Sequence, residues 1–348
     1  MMIELRQHKG LAARRFYRIA GQHVSSDVSL SELQGFRSRE RLDPGTLRVD
    51  RPTGLAATRP QIVFRGPVAL GHHHFDLECS SLSEGLALTV ADQGRITISG
   101  DGEHIAVEPC ATAQPSAINE LVLGPSLTLA LAMQNVWCLH ASAVEIDGHL
   151  VAFLAVSGTG KSTLARALPD TPSGPFRLAA DDVLPVAMDR ERVQALPRFP
   201  QLKYRPDQQP GIGLPASLGL AGIYLLDTEG SPTGIELERI TGHAAALALV
   251  RHTHCASLFT SELLLQHLDF CALLATQIPI WRLAYPKRLA LLPWVAKLLQ
   301  SQHRSEPVVE PMKHCPRPTI DPGRTVRPAA PTSTIGVPAP RRLPLIEG

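Results

Sequence analysis

The chain of 348 residues has no surplus of charge of either sign: 34 Lys and Arg face 32 Asp and Glu, for a formal net charge of +2 at pH 7. That balance removes the global electrostatic case for binding nucleic acid or an anionic membrane, so an acidic partner has to be met by a local cluster. Paired cysteines are missing too. Cys79, Cys110, Cys138, Cys255, Cys271 and Cys315 are scattered with no CxxC or CxxH spacing, which argues against zinc and, in a chain of this size, against a disulfide framework. A reducing, cytoplasmic setting is expected. The opening MMIELRQHKGLAARRF lacks the apolar core of a secretory signal, and the longest apolar stretches are broken by residues such as Asp269 before they reach a spanning length. Neither a membrane protein nor, with no fixed repeat visible, a solenoid is expected.

Ordinary apolar content, 44% hydrophobic residues, is present instead, enough for a sizeable core, and the length suits two domains. Up to about Asn135 the text is a series of short strand-like runs separated by turn residues: FYRIAGQHV, QIVFRG, HFDLEC, LALTVAD, RITISG and HIAVEP. Asp101-Gly102 has the chemistry of a hairpin turn. From Pro115 to Val136 the spacing of Leu123, Leu127, Leu131 and Met133 turns helical. These features predict a mainly β N-terminal domain over residues 1–135.

The next stretch organises the rest. Val151 to Val156 has the length of a buried strand, and Lys161 to Leu168 puts Leu164, Ala165 and Leu168 on one helical face. Between them lies SGTGKS, a small-residue loop at a strand-to-helix junction. Loop and first-turn N–H groups converge on an anion in such a junction, and the glycines let the backbone approach it. Ser157, Gly158, Thr159, Gly160, Lys161, Ser162 and Thr163 are therefore candidate nucleotide contacts. Lys161 would meet the terminal phosphates and the Ser162 hydroxyl a Mg2+ ion. The pattern is GxxxxGK[ST] with Ala155 in place of its first glycine.

Downstream, RLAADDVLPV reads as a strand ending at or running through Asp181 and Asp182, after a loop over Pro169 to Pro175. A buried carboxylate pair is costly unless a metal or a reacting hydroxyl compensates it, and in phosphoryl transfer one carboxylate takes a proton while another holds the metal. Asp182 is accordingly a candidate metal ligand beside Ser162. LPRFPQLKYRPD is too proline-rich for a long helix or central strand. Its Arg198, Phe199, Lys203, Tyr204 and Arg205 form a basic, aromatic cluster suited to an acceptor peptide or a phosphate, or simply to solvent. A strand at Gly222 to Asp227, a turn at Glu229-Gly230 and the strand-like GIELERI follow. Then come helices over Gly242 to His252 and Ser261 to Thr276, a strand over Ile278 to Leu283 and a helix over Leu291 to Leu299. Alternating strands and helices make this region, 136–303, α/β. Residues 304–348, rich in Pro, Arg, Thr and Ser, are expected to be disordered.

Other features read as structural. His72-His73-His74 falls in a strand-like run whose alternation puts His72 and His74 on one face and His73 on the other, and reads as structural rather than as a metal tract. Trp137, Trp281 and Trp294 suit core anchors, and Glu236 and Glu238 an outward strand face. Arg251 reads as a surface cation. His140, before the loop strand, is on spacing alone a core or edge histidine.

LHASAV at 139 to 144, AVSGTGKSTLA and LAADDV together resemble the catalytic core of HPr kinase/phosphorylase, over roughly Val136 to Leu299. The resemblance implies a P-loop kinase core related to phosphoenolpyruvate carboxykinase, with ATP and Mg2+ used to phosphorylate a serine on a protein. By position it makes Lys161 the phosphate lysine, Ser162 a metal contact, Asp181 the general base and His140 a catalytic neighbour. No counterpart of the family's EIRG-type segment with its metal-binding glutamate is found; LPRFPQLKYRPD stands there. FYRIAGQHVSSDVSLSEL and LVLGPSLTLALAMQNVWCLHASAV are similar instead to HPr-kinase-like proteins of ribosomal peptide pathways, including kinases of lasso-peptide precursors. The expected acceptor is then a peptide or small protein rather than HPr. A small-molecule kinase and a non-catalytic ATP sensor are the alternatives. Self-association is compatible with the sequence, and neither nucleic acid nor membrane is an expected partner.

Overall fold

The computed structural model describes residues 14–39, 47–51, 60–171, 176–227 and 234–303. The expected turn at Glu229-Gly230, the end of the Pro169 to Pro175 loop, the basic start of the chain, Cys315 and the tail 304–348 lie outside the described residues.

Two sheets carry the molecule. The first comprises β1 (Arg15–Ile19), β2 (Gln22–Ser26), β3 (Leu47–Asp50), β4 (Gln61–Leu70), β5 (His73–Leu82), β6 (Gly85–Val90), β7 (Gly94–Ser99) and β8 (His104–Pro109). Its order is β1-β2-β3-β8-β7-β6-β5-β4. FYRIAGQHV is thus a hairpin rather than one strand, with Ala20 and Gly21 at positive φ between its arms. From β4 to β8 the chain is an antiparallel meander whose alternating Leu77, Leu86, Leu88, Ile96, Ile98, Ile105 and Val107 are buried. Asp101-Gly102 turns β7 into β8, with Asp101 accepting from Ser99 Oγ and from the Glu103 amide at 2.9 Å.

The helical spacing after Pro115 becomes α1 (Pro115–Leu121) and α2 (Leu127–Met133), joined by a π-helical turn over Val122–Ser126. Pro125 explains the turn. It has no N–H for the carbonyl four residues back, that of Leu121, and its ring would collide with it. Ser126 Oγ donates to that carbonyl at 2.7 Å instead. By length and composition Pro115–Met133 could cross a membrane, contrary to the expectation that no stretch reaches that length, but 89% of it is buried inside the protein. It forms part of the core.

The second sheet contains β9 (Val136–Ile146), β10 (His149–Leu154), β11 (Arg177–Asp189), β12 (Arg192–Ala195), β13 (Leu218–Leu226), β14 (Glu236–Ile240) and β15 (Ile280–Ala284). Its helices are α3 (Lys161–Ala167), α4 (Gly242–Arg251), α5 (Ser261–Gln277) and α6 (Leu292–His303). The order is β10-β9-β11-β12-β13-β15-β14, and β13 also pairs in parallel with β10. The ladder β10-β9-β11-β12-β13 therefore returns to β10, although β12 covers only Val186–Asp189 of β11. Asp147 and Gly148, both at positive φ, make the tight turn between β9 and β10. The mixed α/β architecture expected for 136–303 is what the chain adopts.

One buried cluster runs from Tyr17 and Ile19 through Leu129 and Leu131 to Trp137, Phe270 and Ile280, so both sheets share a core. Trp137 packs against Phe259, His267 and Phe270 with ring centroids 5.7, 5.1 and 6.0 Å away. A second cluster, with Phe153, Leu164, Tyr224 and Val295, fills the other side of the second sheet. Trp294 departs from expectation. It is 56% exposed, with Lys297 4.8 Å over its ring, because α6 turns Leu292, Val295, Ala296 and Leu299 inward instead.

Candidate functional site

β10 ends at Leu154 and α3 begins at Lys161, so residues 155–160 form a loop between strand and helix. Gly158 and Gly160 have φ of +80° and +108°, values that favour glycine, and a Cβ on either would meet nothing within 4 Å. The loop thus faces open space. Ala155, in the position where the sequence pattern has glycine, is 2% exposed and does not need positive φ, so its methyl group enters the core at no backbone cost. Its carbonyl accepts from Lys161 Nζ at 2.8 Å. Lys161 is 6% exposed. Burial, with the nearby Lys203 charge, lowers its pKa against the opposing pull of Asp182 and Asp181.

β11 runs through the double aspartate, antiparallel to β9, with Asp181 opposite Ser142 and Asp182 opposite Ala141. The two carboxylates differ sharply. Asp181 is 0% exposed. Its Oδ1 accepts from Ser142 Oγ at 2.8 Å, and its Oδ2 from Arg166 Nη2 at 2.6 Å, Arg166 Nε at 2.9 Å and Tyr204 OH at 2.8 Å. The Ser162 hydroxyl, one residue into α3, is a further polar group that favours its ionised form. Burial pushes the Asp181 pKa up, but these donors outweigh it and hold the carboxyl below its ordinary value. Burial and Asp181 together raise Tyr204 to about 12, so its phenol stays a donor.

Asp182 keeps 21% of its side chain exposed and accepts from Lys203 Nζ at 2.7 Å. His140 Nδ1 lies 3.5 Å from the same oxygen, and His140 Nε2 lies 3.2 Å from Lys161 Nζ. Burial first, then the Lys161 charge, lowers His140 to about 4, so the ring is neutral at pH 7. A neutral tautomer with its proton on Nδ1 points N–H at Asp182 and accepts from Lys161 through Nε2. Lys161, His140, Asp182 and Lys203 thereby form one chain of contacts beside the loop. His254 stacks on His140, centroids 6.4 Å apart, and His252 accepts the His140 amide at its carbonyl at 2.7 Å. Burial lowers both imidazoles, His252 to about 4.

The segment after β12 closes over this cluster. Gln201, 0% exposed, accepts at Oε1 from the Asp181 and Val183 amides at 3.2 and 3.1 Å and donates through Nε2 to the Val183 carbonyl at 2.8 Å. One carboxamide thus does for β11 what a neighbouring strand would do. Gln209 clasps the Gln201 backbone at 2.8 and 3.1 Å. Close approach also requires Gly211, since a Cβ there would sit 2.3 Å from the Pro197 carbonyl and 2.7 Å from that of Ala179. The basic, aromatic cluster read from LPRFPQLKYRPD is accordingly dispersed. Lys203 and Tyr204 meet the aspartates, Phe199 is 1% exposed in the core, Arg198 Nε donates to the Leu214 carbonyl at 2.8 Å, and Arg205 is at the surface.

The structure thus gathers Lys161, Ser162, His140, Asp181 and Asp182. Ser157, Gly158 and Thr159 lie in the loop, and Thr163 is exposed on α3. Ser142, Arg166, Gln201, His252 and His254 escaped the sequence reading. Ser142 alone left a signal, since it follows His140 at the two-residue strand spacing. His73 bonds Glu120 Oε2 through Nδ1 at 2.8 Å, and the described cysteines are all free. Glu236 and Glu238 are exposed on β14.

Among the described residues no group of three or more His, Cys, Asp or Glu could hold a metal ion. A metal held by protein alone does not fit here. Mg2+ does, because it keeps waters and takes one or two protein oxygens together with nucleotide phosphates, and Ser162, Asp181 and Asp182 supply such oxygens. The open loop fits phosphates.

No protein-family model matches the chain, and no curated protein matches it. Among solved structures it is similar to the Hpr(Ser) kinase/phosphatase from Coxiella burnetii, at 15% identity and a TM-score of 0.29, over 48% of this chain and 95% of that one.

Proposed function

We propose that the chain is an ATP- and Mg2+-dependent kinase that transfers a phosphoryl group to a hydroxyl, with a serine of a peptide or small protein as acceptor. The supporting observation is the juxtaposition of an open glycine loop with Lys161, neutral His140 and two carboxylates of opposite character. The serine acceptor follows from the resemblance carried by LHASAV, AVSGTGKSTLA and LAADDV.

In this reading the aspartates exchange the roles suggested by sequence position. Asp181, with donors on both oxygens and a lowered pKa, is a poor proton acceptor. It serves better as the fixed carboxylate beside Ser162 on the metal side. Asp182 is partly open, and His140 orients it. It takes the proton of the acceptor hydroxyl as the oxygen attacks, after Lys203 has moved off it. Lys161, leaving the Ala155 carbonyl, and the loop N–H groups hold the phosphate oxygens through the transfer. Bound ATP supplies the phosphoryl group and Mg2+ offsets its charge; a nucleoside diphosphate and a phosphoserine result.

The test offers γ-labelled ATP and Mg2+ to the purified protein with a panel of serine-containing peptides, and locates the label by mass spectrometry. Phosphoserine on a peptide, absent with Lys161→Ala, is expected. Equal labelling by wild type and Lys161→Ala would overturn the mechanism, and a phosphorylated small molecule with every peptide unlabelled would overturn the acceptor.

A further inference from the structure

The histidine run at 72–74 has a place in the fold that the cluster around Asp181 and Asp182 does not use. β4 turns into β5 at Gly71-His72, with Gly71 at a φ of +52°, and the turn rests on Glu120 of α1. A Cβ on Gly71 would collide with that carboxylate. Glu120 is 7% exposed, and both of its oxygens are engaged: Oε1 accepts from the His72 amide at 3.0 Å, and Oε2 bonds His73 Nδ1 at 2.8 Å. His73 is also stacked on Phe75, two residues further along β5, with ring centroids 5.7 Å apart and planes 18° from parallel. Held by both contacts, the ring presents its other nitrogen to α1 again. Ser116 Oγ, one helical turn before Glu120, lies 3.4 Å from His73 Nε2, and Ser116 is exposed.

An ionised carboxylate only accepts, so the bond to Glu120 puts the neutral imidazole's proton on Nδ1 and leaves the Nε2 lone pair for the Ser116 hydroxyl. A serine is a weak nucleophile until such a base stands beside it and a third group orients that base. We propose that Ser116 and His73 are the nucleophile and general base of a second site, positioned by Glu120, that hydrolyses activated carboxylic esters. As Ser116 Oγ bonds to the ester carbonyl carbon, its proton passes to His73 Nε2, and that proton leaves with the alcohol when the ester C–O bond breaks. Water then attacks the acyl-serine and gives a proton to Nε2; the carboxylic acid departs, and Ser116 Oγ regains its proton from His73. Ser116 is open to solvent, where transition-state charge is only weakly stabilised. The substrate class is therefore an ester with a good leaving group, such as an aryl ester, rather than a peptide amide. None of the three residues belongs to the cluster around Asp181 and Asp182, and the ester chemistry does not depend on the kinase reading.

To test this, the full chain is incubated with a fluorophosphonate probe, whose phosphorus takes a serine oxygen and releases fluoride, and the adduct is located by peptide mass spectrometry. Labelling of Ser116 is expected, at a rate lowered at least tenfold in His73→Gln, and p-nitrophenyl acetate hydrolysis should fall by a similar factor in Ser116→Ala and in His73→Gln. A pH profile separates a positioning Glu120 from a merely structural one. Its carboxylate favours the imidazolium form of His73, which has His72 and His74 as titratable neighbours along the chain. Glu120→Gln should therefore move the inflection of the labelling rate to lower pH and reduce the plateau. Circular dichroism checks folding; should Glu120→Gln unfold, Ser116→Ala and His73→Gln, at an exposed and a half-buried position, decide. Ser116 left unlabelled, ester hydrolysis unchanged in Ser116→Ala, labelling as fast in folded His73→Gln, or an inflection unmoved in folded Glu120→Gln would overturn the proposal.

Discussion

The two sheets are built by different rules. Among the described residues, no strand of the first sheet buries a charged side chain; its buried polar groups are Ser25, Ser26, Ser80 and Thr97, and its Arg65–Glu78 pair is on the surface. The second buries Asp181 and Glu145 in its strands and Lys161 at the start of α3. A meander of alternating residues meets every local preference at once, whereas a buried carboxylate in the middle of a strand violates one and has to be compensated by its neighbours. Four residues from three segments, Ser142 of β9, Ser162 and Arg166 of α3 and Tyr204 after β12, make that compensation for Asp181. The position of such an expense is the best pointer to chemistry the molecule offers.

The contrast can be broken from the second sheet first. Lys161→Ala should lower phosphoryl transfer by about a thousandfold or more, as expected for removing a charge placed on the transferring group, measured as initial rate with saturating acceptor. Asp181→Ala should destabilise by about 3 kcal/mol, since it strands several buried donors, though Arg166 can turn to water. Urea midpoints at constant m-value would show it. A smaller loss would mean that the network is looser than its distances imply.

Acid provides a third probe. Burial lowers His267 to about 4, and the ring is 0% exposed, with its Nε2 2.7 Å from Thr253 Oγ1 and 3.2 Å from Cys271 Sγ. The unfolded chain binds this proton near the ordinary histidine value of about 6.5 and the folded chain only near 4, so stability present above the upper value is lost as pH falls through that window. Thermal midpoints should drop between pH 7 and pH 4.5, and His267→Phe should flatten the decline. Smallest of all, Arg65→Ala on the first sheet should change stability by less than about 1 kcal/mol, in keeping with an exposed ion pair. A larger loss there would erase the contrast between the sheets.

Much of this was legible in the residues. The strand runs of the first sheet, the hairpin at Asp101-Gly102, the strand-loop-helix around SGTGKS and the strand through Asp181-Asp182 all carry local signals of period, turn chemistry and length. What escaped depends on contacts between distant segments. Gln201 looks like an ordinary loop glutamine until β11 lies beside it, and Arg166 like a surface residue until Asp181 faces it. Nor does period tell which of two adjacent aspartates is enclosed. The π-helical turn at Pro125 and the exposure of Trp294 likewise follow from packing.

The central claim is that Asp182 takes the acceptor's proton while the loop and Lys161 hold the phosphates. Asp182→Asn tests it most directly, with Mg2+-ATP affinity and phosphoryl transfer measured on the same preparation. The account predicts affinity within a fewfold of wild type and transfer lowered by about a hundredfold or more. Transfer at the wild-type rate in Asp182→Asn would contradict it.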